Sequence, residues 1–195
     1  NVPKIMAQRH PQFEVIIVND SSWDDTADVL KALSLSYPQL HVIHIDEEKQ
    51  NMQGKKFAIT LGIKAAKHDL ILLTDADCEP DPDWIQAGVK ALQWTDRQRR
   101  LVAGRIVLEP QTPGHPSVGE QLDQILGFDQ ARTVRRAGFG VTANLFVAQA
   151  CFQELGGFHR RTHSGGDREF CHRAVAAGAL LLFEAQAIVR HPARE

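Results

Sequence analysis

The sequence predicts an α/β domain with a mostly parallel central sheet flanked by helices. Three observations lead there. Short apolar runs recur along the chain, helix-compatible stretches separate them, and acidic residues gather where several runs end. Strands that alternate with helices imply right-handed crossovers. In open α/β sheets, ligands collect outside the carboxyl ends of the strands. Acidic residues at those ends are therefore candidates for a site.

Residues 13–18 (FEVIIV) form a strand bounded by Pro11 and by the polar turn Asn19-Asp20-Ser21-Ser22. Asp24-Asp25-Thr26 opens a helix to about Leu35, with Asp or Thr placed to cap it. Residues 40–45 (LHVIHI) form a second strand. Gly54-Lys55-Lys56 starts a helix through Ala66, and residues 70–73 (LILL) form a third strand. A helix follows at 84–92 and a strand at 101–108. The Pro/Gly stretch 110–116 then introduces a second half, with a helix at 118–135 and an interrupted strand at 139–147. A short helix at 152–155 follows, ended by Gly156-Gly157. A helix at 167–177 has Gly178 as its cap, and two last strands span 179–184 and 187–190. The reading is one domain over 1–195, with a first half to about 108 and a second from about 109.

Composition excludes several classes. With 195 residues, 43% hydrophobic and 24% charged, the chain suits one soluble core. A formal net charge of -2, with no basic stripe interleaved with aromatics, gives no footprint for nucleic acid. Arg97, Arg99 and Arg100 read as a solvated helix end. Three cysteines without metal-like spacing fit a reducing compartment. No apolar stretch approaches the ~20 residues that span a bilayer, and no signal peptide is visible. Val2, Ile5 and Met6 read as a helix in progress, and the chain stops just after a strand-like run. Both ends suggest a piece of a longer protein.

Four groups could carry chemistry. Asp75 and Asp77 close the third strand; such a pair needs a cation or donors to offset its repulsion, and a hard divalent ion on phosphate would do so. The alternative is an acidic turn before the next helix, with Asp81 and Asp83. Asp20 could accept from a nucleotide's base or ribose, or cap its own turn. Gly54 permits close backbone approach, and Lys55 or Lys56 could meet an anion or simply be solvated. Ser164-Gly165-Gly166-Asp167 opens a helix where a carboxylate is electrostatically favoured and could act as a base. Alternatively, Asp167 caps that helix beside an Arg168–Glu169 pair. Neither a Walker loop nor a G-x-G-x-x-G after a strand is present.

Taken in order, these segments resemble the family-two glycosyltransferases. FEVIIVNDSSWDDTADVL is similar to the family's FEVIVVDDGSTDGT, GKKFAITLGIKAA to its GKxxALNxGIxxA, and LILLTDADCEPDPDWI to its strand and D-x-D. The segment from GFGVTANLFV through GGF to SGGDREF resembles the acceptor half. The resemblance implies a GT-A (Rossmann-like) fold, with a first strand expected before Asn1, and inverting, metal-dependent transfer from a UDP- or GDP-sugar. It implies Asp20 for base recognition, Lys55 in the donor loop, Asp75 toward ribose or the metal's waters, and Asp77 on Mg2+ or Mn2+. Asp167 matches the catalytic base, and His191 in V-x-H-P a further metal ligand. Departures are Asn19 for an aspartate, Gly166 for a glutamate, and Glu169 as a rival base. The Q-x-x-R-W motif of processive synthases is absent, which points to one linkage per encounter.

The acceptor implied is a saccharide or lipid-linked sugar in cell-envelope or exopolysaccharide synthesis. The setting would be cytoplasmic, with peripheral association at the inner membrane face. A nucleotidyltransferase of related fold, or a non-catalytic nucleotide-sugar-binding domain, is the alternative.

Overall fold

The structure, a computed structural model, describes residues 1–45, 54–93, 99–112, 114–159, 162 and 164–193. The elements in order are α1 (Val2–Met6), β1 (Val15–Asp20), α2 (Thr26–Ser36), β2 (Leu40–Ile45), α3 (Gly54–Ala65), β3 (Leu70–Thr74), β4 (Glu79–Pro80) and α4 (Trp84–Gln93). The second half continues with β5 (Arg100–Glu109), α5 (Val118–Leu126), α6 (Gln130–Ala137), β6 (Asn144–Ala148), α7 (Gln149–Glu154), α8 (Gly166–Ala176) and β7 (Leu180–Pro192).

The α/β class is as expected, but the pairing is more mixed than the alternating pattern suggested. β1 and β2 form a parallel pair, and five strands in the order β3-β6-β5-β7-β4 form the larger sheet. Within it β5 and β7 are parallel, while β6 is antiparallel to both β3 and β5, and β4 to β7. Among the described residues β1 and β3 share no ladder. Helix α3 links them: it packs on β1, where a Cβ on Gly62 would touch the side chains of Val18 and Ile16.

The central strands are buried on both faces. On one side Leu101, Ala103, Leu145 and Val147 pack with Phe152, Phe158 and Phe170 of the later helices. On the other, Val102 and Phe146 pack with Trp84 and Ile85 of α4. The assignment alternates residue by residue, as the period of a strand requires. Fully burying a side chain as large as Phe146 contributes about 1.5–3 kcal/mol. A Cβ on Gly88 would stand 1.8 Å from the Phe146 ring, so only glycine lets α4 lie this close.

Three differences from the sequence reading have local causes. The single helix expected over 118–135 is two, broken at Gly127-Phe128-Asp129, where Asp129 caps α6 by accepting from Arg132 N at 2.9 Å. The two last strands are one, because a bulge takes up the irregularity: Gly104 pairs with Glu184, but Arg105 pairs with Ile188. Asn144, fully buried, donates to Arg105 O and Ala187 O at 2.9 Å each and accepts from Trp84 Nε1 at 2.8 Å. Those bonds use both of its amide hydrogens and one lone pair of its oxygen, and they close the bulge. Arg100 is also not a solvated helix end. It is buried as the first residue of β5, and its guanidinium donates to Ala91 O at 3.0 Å. Arg99 pairs with Glu154 instead, and Arg97 lies outside the described residues.

Candidate active site

The acidic pair sits on a tight turn at the carboxyl end of β3. Cys78 N donates to Asp75 O at 3.1 Å, which closes a four-residue β-turn directly after β3. The turn sends its two carboxylates to different partners. Asp75 pairs with Lys55 at 2.5 Å, and Asp77 Oδ2 lies 3.5 Å from His191 Nε2. Neither Asp81 nor Asp83 spends its carboxylate on capping α4 as the acidic-turn alternative supposed. Asp81 holds Arg190 at 3.1 Å, and Asp83 holds Arg9 at 2.9 Å.

His191 is buried, at 6% exposure, and its orientation is specific. Its Nδ1 lies 2.7 Å from Pro192 O. A carbonyl only accepts, so that contact places the proton on Nδ1 and leaves the Nε2 lone pair facing Asp77. The ring of Phe128 packs on the imidazole, with centroids 5.0 Å apart. Phe128 holds a positive φ of 32°, uncommon for a bulky residue. The break between α5 and α6 thus delivers a ring to the back of His191. Next door, Arg190 donates to both Asp81 and Glu109 and ties β7 to its neighbours on either side.

The donors suit a hard divalent cation. Octahedral ligands at about 2.1 Å from an ion stand roughly 3 Å apart, close to the Asp77–His191 separation. Cys78 Sγ also lies within reach of both. It fits less well: burial pushes the thiol up from its usual range, and Sγ donates to Ala143 O at 3.7 Å. A buried neutral thiol is a poor ligand for a hard ion.

The two lysines of Gly54-Lys55-Lys56 diverge. Lys55 reaches the acidic turn. Lys56 donates to Thr162 O, to Thr162 Oγ1 at 3.1 Å and to His159 O at 3.4 Å. It lies against the start of α8, where a Cβ on Gly166 would meet Lys56 Cδ at 2.9 Å. Glycine at 166, in place of the family's glutamate, leaves room for that stem. Adjacent residues of α3 therefore join the acidic turn to the segment that leads into α8 and Asp167.

Asp167 lies in the first turn of α8, half-buried, after Gly165 in the left-handed conformation (φ 68°). Its Oδ1 accepts from Arg168 N at 2.8 Å. The Arg168–Glu169 pair that the capping alternative supposed does not form. Arg168 lies over the Phe139 ring, and Glu169 binds Arg173 through two 2.8 Å bonds. Arg173 also donates to Leu155 O and Gly157 O, so the pair clamps the Gly156-Gly157 turn. These Arg173 hydrogen bonds hold the Glu169 carboxyl below the usual range.

A depressed carboxyl supplies stability that is present above its unfolded pKa and lost as pH falls through the folded one. Glu169→Gln is therefore expected to cost about 1 kcal/mol at pH 7. The gap between variant and parent should close below the ordinary glutamate value of about 4.3. Urea midpoints at pH 7 and pH 3.5 check this; a gap of equal size at both would refute it.

Asp20 stands on the smaller sheet. It is half-buried at the last position of β1, opposite Ile45. Asn19 before it is buried, lies 3.2 Å from His44 Nδ1 through its amide and accepts from Ser22 N at 3.1 Å. It shapes the turn after Asp20.

A sequence model of the family described as Glycosyl transferase family 2 matches residues 2–144. The chain belongs to this family. Glycosyltransferase AglE of Haloferax volcanii is 29% identical over 192 residues, covering 97% of this chain and 60% of that protein. Among solved structures, the mannosyltransferase PcManGT of Pyrobaculum calidifontis, in complex with GDP-Man and Mn2+, superposes with a TM-score of 0.71. It shares 19% identity, over 97% of this chain and 51% of that one. S. aureus TarS 1-349 in complex with UDP-GlcNAc gives 0.69 and 16%, over 100% of this chain and 54% of that one. These neighbours are GT-A glycosyltransferases, and the family-2 chain has their fold. It spans about half to three fifths of the length of these proteins.

Proposed function

We propose that this family-2 domain transfers a sugar from a nucleotide-sugar to an acceptor hydroxyl, with inversion and with a divalent cation, Mg2+ or Mn2+. The observation that carries the reading is the Asp77–His191 approach at 3.5 Å, with the histidine lone pair turned to the carboxylate by Pro192 O. A bound cation would offset the negative charge that develops on the departing nucleoside diphosphate.

The chain's own residues do the rest. Asp77 and His191 would hold the ion. Asp75, held by Lys55, would face the ribose or the ion's waters, and Lys55 would add positive charge beside the diphosphate. Asp20 accepts from the nucleobase. Asp167 takes the proton from the acceptor hydroxyl as it attacks the anomeric carbon on the side opposite the leaving group. Glu169 is a poor candidate for that role because Arg173 holds both its oxygens. The donor is a UDP- or GDP-sugar, in keeping with the ligands of TarS and PcManGT. The acceptor is a saccharide or lipid-linked sugar of the cell envelope or an exopolysaccharide.

Incubation with UDP-sugars or GDP-mannose, with and without Mn2+, tests the reading. Metal-dependent release of nucleoside diphosphate is expected. Saturable donor binding without any release would instead make this a binding domain, and release of pyrophosphate from a nucleoside triphosphate and a sugar phosphate would make it a nucleotidyltransferase.

A further inference from the structure

Helix α5 is amphipathic the wrong way round. Its carboxylate Glu120 is buried at 3% exposure, while Val118, Leu122, Ile125 and Leu126 are exposed at 74, 52, 74 and 74%. At about 100° per residue these four share one stripe roughly 100° wide. A helix on a globular surface normally turns such a stripe inward.

The inversion is held by specific bonds. Ser117 and Glu120 form a reciprocal capping box, with Glu120 N donating to Ser117 Oγ at 3.2 Å and Ser117 N to Glu120 Oε2 at 2.7 Å. Glu120 Oε1 also accepts from Gln111 N at 2.7 Å, and Gln124 donates to Leu108 O at 3.1 Å. The backbone donors of Gln111 and Ser117 hold the Glu120 carboxyl below its usual range. The polar side is anchored to β5 and its following loop, and the apolar side is thereby committed outward.

Helix α6 lies beside it and is basic on its outer face. Arg132, Arg135 and Arg136 are exposed at i, i+3 and i+4, while Gln130 is buried beneath. Asp129, the acid between the helices, caps α6. Both helices pack on β5, α5 near Leu108 and α6 near Gly104. A cavity of about 400 Å³ runs between them and β5 and β7, lined by Ile125, Phe128, Ala131, Leu108, Phe183 and Arg105 among others. Ile125 belongs to both the stripe and this cavity.

From these observations we infer that α5 and α6 form a docking surface for an anionic lipid bilayer. The stripe on α5 enters the boundary between headgroups and acyl chains, and the α6 arginines meet lipid phosphates. An apolar stripe beside a basic face is the pattern that lies in a membrane interface. The charge selects the occupant: three exposed arginines on the helix that follows the apolar stripe favour phosphate-rich lipid over a purely apolar partner. Phe128 at the junction touches His191, so the surface borders the proposed metal site.

The test is co-sedimentation of the protein with vesicles of phosphatidylglycerol and phosphatidylcholine, and with phosphatidylcholine alone. No donor is present, so the result stands apart from glycosyl transfer. Binding to the anionic vesicles is expected, weakening with salt. It should fall at least tenfold in Leu122→Ser/Ile125→Ser, and about fivefold for each arginine changed to glutamine. Leu126→Cys bearing an environment-sensitive fluorophore should show a blue shift with anionic vesicles only. Absence of vesicle binding, or binding unaffected by the serine changes, overturns the inference. So does a stable dimer that the serine changes dissociate while vesicles are ignored, which would mean that a second copy covers the stripe.

Discussion

Asp167→Asn is expected to lower turnover by about 10²–10⁴-fold, the usual contribution of a positioned general base. The amide keeps the size of the carboxylate and can still accept from Arg168 N, so the start of α8 should be undisturbed. It cannot take up the acceptor's proton. Donor affinity should stay within about twofold, because the loss lies in the transition state and not in ground-state binding. Initial rates of nucleotide release, set beside calorimetric donor titration with Mn2+, separate the two quantities. Near-normal turnover would remove Asp167 from the base role and return Glu169 to it, despite the Arg173 clamp. A parallel loss of donor binding would instead make Asp167 part of the donor pocket.

Asp77→Ala is expected to raise the metal concentration for half-maximal activity by at least 10–100-fold, the range found for losing even a partner of a metal ligand. His191→Ala should act in the same direction. Asp77→Ala should lower stability little, since the Asp77 side chain is about half exposed, at 53%. His191 is different: it is buried against Phe128, so its variant also loses packing, and a melting curve should accompany its titration. Unchanged metal dependence in Asp77→Ala would sink the assignment. A shift in Asp77→Ala but not in His191→Ala would leave a carboxylate-only site, with the imidazole serving to orient Asp77.

Much of this was legible before any coordinates. β2 runs over Leu40–Ile45, the bounds read from its apolar residues, and β3 differs by a single residue. Both are short, largely apolar runs ended by polar or proline-rich sequence, and in a chain that alternates with helices such runs read as strands. The helix after Gly165-Gly166 was visible because glycine and acidic residues mark a helix start. α5 and α6 were not visible as two helices, because Ile125, Leu126 and Phe128 continue an apolar pattern across the break. Only the positive φ at Phe128 and the Asp129 cap reveal it. The outward direction of the α5 stripe was likewise hidden. Periodicity reports which residues share a face, not which way the face points.

The sequence by itself determined the fold class, most of the element order, the identity of Asp20, Lys55, Asp75, Asp77 and Asp167 as candidates, and a family resemblance that added His191. Those are matters of residue type and spacing, and they need no third dimension. The tertiary structure alone decided which candidates meet. The turn after β3 gives Asp75 to Lys55 and Asp77 to His191, and that second meeting depends on the bulge opposite Gly104. There Asn144 bonds Arg105 O and Ala187 O and sets the register in which Leu108 pairs with His191. A bulge arises from long-range pairing between strands, so no local pattern in residues 180–192 announces it.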